Sequence, residues 1–290
     1  MGVMAISNKF SLRSLVKISR PVNLIILAFA QMMTAVFLVE TNAYGQAIWQ
    51  GYNLYLLMLA TSMIAAAGYM INDYYDVKID YINKPDEVII GRTMKRRVAL
   101  FYHSILNFSA IGIGWLLAPR MALAIFIAAF LLWLYSNQLK RLPFIGNFTV
   151  ALLTAASIWL IGFYYQKSEL LVLTYALFAF FLNLIREIIK DIEDRDGDRK
   201  HGCKTLPIIL GFRNTKKVIF AIAFVFVCSI MIVTFKINNP NLYAYFGGLS
   251  ILFMIFMYKI YIADRKQHFT QLSIYNKALM LAGISSMVFL

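Results

Sequence analysis

Residues 72–80 read Asn72-Asp73-Tyr74-Tyr75-Asp76-Val77-Lys78-Ile79-Asp80, and they follow directly on an apolar run near 53–72. Three aspartates stand at i, i+3 and i+7, a spacing that lays them along one face of a helix over two turns. The pattern recurs. After the apolar run 170–190 comes Asp191-Ile192-Glu193-Asp194-Arg195-Asp196-Gly197-Asp198, again with aspartates at i, i+3 and i+7. Asn183, Glu187 and Asp191 extend this second stripe into the preceding run at i, i+4 and i+8. About 20 apolar residues carry a helix across the hydrocarbon core of a bilayer. Each acidic triplet therefore sits at the end of a predicted membrane helix.

Working outward, runs of spanning length fall near 21–40, 53–72, 98–118, 121–137, 145–165, 170–190, 217–236, 242–261 and 272–290. The expected fold class is an all-α integral membrane protein with about nine transmembrane helices. Composition agrees: 61% of the 290 residues are apolar and only 14% charged, against about a quarter charged in ordinary soluble domains. The net charge of +14 points to a lipid surface or a phosphorylated substrate rather than nucleic acid. Residues 9–19 interleave Phe10, Leu12, Leu15, Val16 and Ile18 with basic side chains, the pattern of a short surface helix ahead of the first span. That span is too long for a signal-peptide core. Cys203 and Cys228 fall in unlike environments and predict no disulfide.

Charge sets the orientation. With the N-terminus cytoplasmic, 25 of the 28 Lys and Arg residues fall on cytoplasmic segments, leaving Arg120, Lys167 and Lys236 outside. This is the positive-inside distribution, and an odd number of spans then puts the C-terminus outside. The acidic residues are distributed differently: 11 of 14 lie in two cytoplasmic connections, read here as Asp-rich loops at 72–97 and 187–217.

Carboxylates held side by side repel unless cations offset them. Oxygen-only sites with room for water suit Mg²⁺, which commonly binds one or two carboxylates together with substrate phosphate oxygens. Two facing stripes would bracket a diphosphate, and Arg92, Lys95, Lys140, Lys190 and Arg199 stand nearby to take up its remaining charge. Other readings exist. Helix-terminal aspartates can simply solvate membrane-edge loops. A Ca²⁺ loop at Asp194, Asp196 and Asp198 lacks the bidentate Glu that an EF-hand requires, and Gly197 reads as a turn out of the helix. A metal-ion or anion transporter also uses membrane carboxylates, although there they line the midplane rather than one face.

These residues resemble the UbiA superfamily of intramembrane prenyltransferases. Asn72, Asp73, Asp76 and Asp80 match its NDxxDxxxD pattern, and Asp194 and Asp198, preceded by Asp191, match its second motif. The likeness extends through AAGYMINDYYDVKIDYINKPD at 66–86, Gly91-Arg92, YSNQLKR at 135–141 and KDIEDRDGDRKHGCKTLP at 190–207. It implies one prenyltransferase domain over 1–290, with helices around a central cavity open sideways to lipid. It further implies a prenyl diphosphate donor held through Mg²⁺ at the two motifs, with Asp73, Asp76, Asp194 and Asp198 catalytic. Ionisation would give an allylic cation, with Tyr74, Tyr75 or Tyr135 offering an aromatic face, and a lipophilic acceptor would trap it. Arg20-Pro21-Val22-Asn23 and the DIEDRDGDR string look most like the branch that alkylates geranylgeranylglyceryl phosphate, with Arg20 and Asn23 on the acceptor. Aromatic acceptors, as in quinone and haem pathways, are the alternative. Asp86-Glu87-Val88-Ile89 stands where relatives often carry basic residues, which leaves Arg92 and Lys95 as the nearby phosphate contacts.

Overall fold

The computed structural model describes residues 12–40, 45–167 and 169–290. Its helices are α1 (Leu12–Ile18), α2 (Pro21–Met33, prolonged by a π-helical stretch Thr34–Val39), α3 (Tyr52–Asn83), α4 (Arg96–Leu117) and α5 (Pro119–Asn137). They continue as α6 (Ile145–Tyr165), α7 (Glu169–Lys200), α8 (Leu206–Ile209), α9 (Gly211–Ile237), α10 (Pro240–Ile262) and α11 (Lys266–Ser285). Nine of these, counting among the described residues, are long and apolar enough to span a membrane, and the chain is an integral membrane protein. Pro119 opens α5 after an extended Ala118, because proline is tolerated in the first helical turn and disfavours helix in the residue before it.

Burial sorts the helices. In α3 and α7, 56% and 61% of the apolar window is buried, against 11% in α4, 22% in α9 and 17% in α10. The outer three turn side chains such as Phe108, Trp115, Phe224 and Tyr258 outward, as lipid-facing helices do. The closest packing joins α3 to α4 and α6 to α7. Gly162 permits the latter, since a Cβ there would meet the Val172 side chain at 3.2 Å. The expected surface helix is present as α1, with Lys9 and Phe10 lying outside the described residues. Ile18 of α1 is buried against Met70, Ile89, Ile90 and Met94, and Ser14 Oγ donates to Thr93 Oγ1 at 3.0 Å.

One expectation is corrected here. The acidic stretches are not loops. Both α3 and α7 run for 32 residues, about 48 Å at 1.5 Å per residue, well beyond a hydrocarbon core of about 30 Å. Nothing interrupts α3 until Pro85, and α7 runs on to the turn at Gly202, whose φ of +73° is the left-handed conformation that ends helices at glycine. Gly197 lies inside α7 rather than at its exit. It serves close approach: a Cβ at Gly197 would meet the Asn83 side chain at 2.5–2.6 Å.

Candidate active site

The end of α3 and the end of α7 face each other across a cavity of about 320 Å³, walled further by α2, the α5–α6 junction and α11. Asp73, Asp76 and Asp80 line it from α3, and Asp191, Asp194 and Asp198 from α7. The helical spacing thus does what it predicts and gathers six carboxylates on one space. Asn72, Asn23, Tyr135, Lys140 and Lys190 also line it.

A polar clamp fixes the distance between the stripes. Asn83 Nδ2 donates to the Asp194 carbonyl at 2.9 Å, and Gly197 N donates to Asn83 Oδ1 at 2.9 Å. Lys84 follows, with Nζ 3.3 Å from Asp194 Oδ1 and 3.5 Å from Glu193 Oε1. Burial acts to discharge the Lys84 ammonium, but Asp194 and Glu193 outweigh it and raise its pKa. Lys266 Nζ reaches across from α11 to donate to the Asn83 carbonyl at 2.6 Å.

Within the cavity, basic side chains already neutralise part of the acid. Arg20 Nη2 donates to Asp73 Oδ1 at 2.7 Å, and its guanidinium stands 4.8 Å from the Tyr69 ring centroid. Burial disfavours this cation, yet Asp73, Tyr69 and Asp80 together outweigh it and raise its pKa. Arg20 adopts φ 52°, ψ 63°, a left-handed conformation that costs a non-glycine residue of order 1–2 kcal/mol. The turn it makes between α1 and α2 delivers the guanidinium to Asp73. Lys140 pairs with Asp76, and Asn147 Nδ2 donates to Asp191 Oδ2 at 2.8 Å. Arg186 Nη1 donates to Glu187 Oε1 at 2.7 Å, with Lys190 Nζ 3.8 Å from the other Glu187 oxygen.

Several expected residues lie elsewhere. Arg20 was expected on the acceptor, and the structure sets it against the first acidic stripe. Arg92, Lys95 and Arg199 are exposed and do not line the cavity. Arg199 follows Asp198 by one residue, a rotation of about 100° off the stripe, and Arg92 packs 5.6 Å from the Tyr81 ring instead. Tyr74 and Tyr75 also miss the cavity, for the same rotational reason. Tyr74 packs with α1 and α4 under the Arg96 guanidinium at 4.5 Å. Lys277, expected among the cytoplasmic cations, sits within α11 and lines the cavity. Cys203 lies at the rim, where burial first and Asp198 second push its thiol up to about 11, so it stays protonated and inert at neutral pH.

The fit to a divalent cation can be tested on these atoms. Asn72 Oδ1 is a buried oxygen without a hydrogen-bond donor, which is what a cation ligand looks like before its cation, and Asp194 Oδ1 has only the Lys84 ammonium at 3.3 Å beside it. Among the described residues no three acidic, His or Cys side chains converge into a ready-made cage. That combination fits Mg²⁺, which keeps water and takes part of its shell from substrate phosphate.

The match with known proteins extends over nearly all of these elements. The UbiA prenyltransferase family model matches residues 21–278. The chain belongs to the UbiA prenyltransferase family. The digeranylgeranylglyceryl phosphate synthase of Thermococcus gammatolerans is 34% identical over 256 residues, covering 88% of this chain and 89% of that one. The synthase of the same name from Methanosphaera stadtmanae is 32% identical over 282 residues, covering 93% and 96%. Among solved structures, one described as giving insights into digeranylgeranylglyceryl phosphate synthase in membranes superposes with a TM-score of 0.73 at 22% identity, covering 96% and 99%. A UbiA homologue from Archaeoglobus fulgidus bound to GPP and Mg²⁺ superposes with a TM-score of 0.68 at 16% identity, covering 95% and 99%. The fold is the UbiA fold, and the protein is a prenyltransferase enzyme, which removes the transporter reading. Sequence reasoning missed Asn83, Lys84, Asn147 and Arg186. They lie at or near motif edges without a charge pattern of their own, and only the approach of α3 to α7 and of α6 to α7 gives them partners.

Proposed function

We propose that this UbiA enzyme transfers an isoprenyl group from an allylic prenyl diphosphate to geranylgeranylglyceryl phosphate, with Mg²⁺ as cofactor, through one transmembrane domain spanning residues 1–290. The observation that carries the reaction is the pair of facing carboxylate stripes, with the unsatisfied oxygen of Asn72 beside them. The acceptor rests on the relatives, which carry the name of that synthase.

Asp73, Asp76, Asp194 and Asp198 would hold the cations against the diphosphate, with Asn72, Asp80 and Asp191 completing the set. Mg²⁺ so bound supplies Lewis-acid stabilisation of the departing diphosphate as its charge develops. Lys140 and Lys190 bind the remaining phosphate charge, and Arg20 can exchange Asp73 for a phosphate oxygen without moving far. Asn147 holds Asp191 in one rotamer through its amide. Tyr135 presents its ring beside the reacting carbon, where an aromatic face stabilises an allylic cation. The surrounding helices limit the access of bulk water to that cation. Asn23, at the mouth of the first span, contacts the acceptor.

Full-length protein in detergent with Mg²⁺ should release inorganic diphosphate from an allylic donor when geranylgeranylglyceryl phosphate is supplied. EDTA should stop this and added Mg²⁺ restore it. If a phenolic acceptor supports turnover and the glyceryl phosphate does not, the aromatic branch is the right one.

The same reading places the site on the cytoplasmic face of the cell membrane, supported by the basic residues, of which only Arg120, Lys167 and Lys236 fall toward the other side. A reporter fused after Leu290 should be read outside the cytoplasm, and one inserted near Lys200 inside. Both on one side would refute the number of spans between them, and the two sides exchanged would refute the orientation.

A further inference from the structure

The charge in the cavity is not evenly matched. Along α7, Arg186 precedes Asp191 by five residues and Asp194 by eight, about 7 and 12 Å deeper into the membrane. At that depth Glu187 is the single carboxylate, shared between Arg186 at 2.7 Å and Lys190 at 3.8 Å. Arg186 Nε is buried with no partner at all. Lys277 enters the same space from α11, eleven residues past Lys266. Its charged neighbours are Arg186, Lys190, Arg20 and Glu187, and its ammonium makes no ion pair or hydrogen bond among the described residues. Arg20 is occupied by Asp73. Lys190 also faces Asp73, Asp191 and Asp198, so Arg186 and Lys277 have Glu187 as their one nearby carboxylate, an excess of positive charge inside a membrane helix bundle. Ionised side chains at such depth are costly and mark functional sites.

We infer that Arg186 and Lys277 form a second anion site, distinct from the carboxylate stripes, that takes the phosphomonoester head of the acceptor, with Lys190 between the two sites. A phosphomonoester carries about −1.5 to −2 charge near neutral pH and so balances the local excess. Arg186 offers its free Nε edge, and Lys277 a point charge from α11, which packs beside α7. In a glyceryl phosphate the attacking hydroxyl is only a few bonds from the phosphate. A head group anchored here keeps that oxygen within the cavity that holds the donor, which is the positioning a bimolecular displacement needs. The inference rests on the glyceryl phosphate reading of the acceptor and adds where its charge is held.

The test uses full-length protein in detergent with Mg²⁺. Lys277→Met keeps the stem and removes the charge. It should raise the KM for geranylgeranylglyceryl phosphate about thirtyfold, the loss of one charge-assisted hydrogen bond, while the donor KM changes less than about twofold. Lys277→Arg should recover most of the affinity. Calorimetric titration of an alkylglyceryl phosphate without donor should show the same weakening in Lys277→Met. Loss of an uncompensated cation should leave thermal unfolding unchanged or raised, and Lys277→Gln serves as the second variant. Equal rises in both KM values would assign these cations to the diphosphate and overturn the inference, as would an unchanged acceptor KM. Failure of wild-type protein to use any glyceryl phosphate, with a phenolic acceptor active, would instead sink the acceptor reading and this inference with it.

Discussion

Asp76→Asn and Asp194→Asn proteins should insert and fold normally yet turn over allylic diphosphates about a thousandfold more slowly than wild type, equivalent to about 4 kcal/mol of lost transition-state stabilisation. The amide keeps the shape of the carboxylate and removes only its ionised oxygen. Asp76 pairs with Lys140, and Asp194 with Lys84, so each substitution also frees a cation, which the hydration of the cavity mouth can absorb. The two aspartates stand on different helices but face one cavity. A diphosphate held from one side only gains little from the second stripe, so the double variant should be far less than a millionfold slower. Single-turnover rates at saturating Mg²⁺, on protein whose folding is checked by thermal unfolding, settle the matter. Near wild-type rates in either single variant would dismiss the assignment.

The second large effect is expected away from any charged ligand. Gly→Ala inside a helix ordinarily stabilises by up to about 1 kcal/mol. Gly197→Ala should do the reverse. Its Cβ would stand 2.5–2.6 Å from an Asn83 amide that is pinned by hydrogen bonds to Gly197 N and the Asp194 carbonyl. The amide cannot swing aside without abandoning both. Asn83→Ala opens the same joint from the other side and removes both hydrogen bonds between α3 and α7, at a cost of about 1 kcal/mol each. With the stripes no longer held at a fixed separation, both variants should lose about a hundredfold in turnover, the effect of a displacement near 1 Å. Donor affinity and kcat measured side by side check this, and a Gly197→Ala protein that is both more stable and fully active would disprove the clamp.

How far the sequence speaks can be judged residue by residue. Hydropathy runs and charge asymmetry suffice for nine spans, because a bilayer imposes length and polarity directly on the chain. The spacing 73/76/80 and 191/194/198 likewise suffices for the six aspartates, since residues at those offsets share a helix face wherever the helix lies. Helix ends were harder. The acidic stretches read as loops because charge was taken to mark the end of a span, whereas α3 and α7 simply continue past the membrane as helices. Neighbours in sequence also misled: Arg199 and Tyr74 sit next to motif aspartates and point elsewhere, while Lys277 sits 79 residues from Asp198 in the chain and shares its cavity. Which basic residue meets which acid depends on helix packing, and no local pattern encodes that.

Both carboxylate stripes occupy the C-terminal turns of their helices, α3 ending at Asn83 and α7 at Lys200. Phosphate sites in proteins commonly use the opposite end, where free N–H groups and the positive pole of the helix macrodipole welcome an anion. Here the polarity is inverted, and each helix adds about half a negative charge to a face that already carries six aspartates. The helix ends therefore offer a bare prenyl diphosphate no attraction of their own, and its charge must be met by cations brought to this face. The orientation of two helices thus leaves recognition of the anion to cations and side chains rather than to backbone N–H groups.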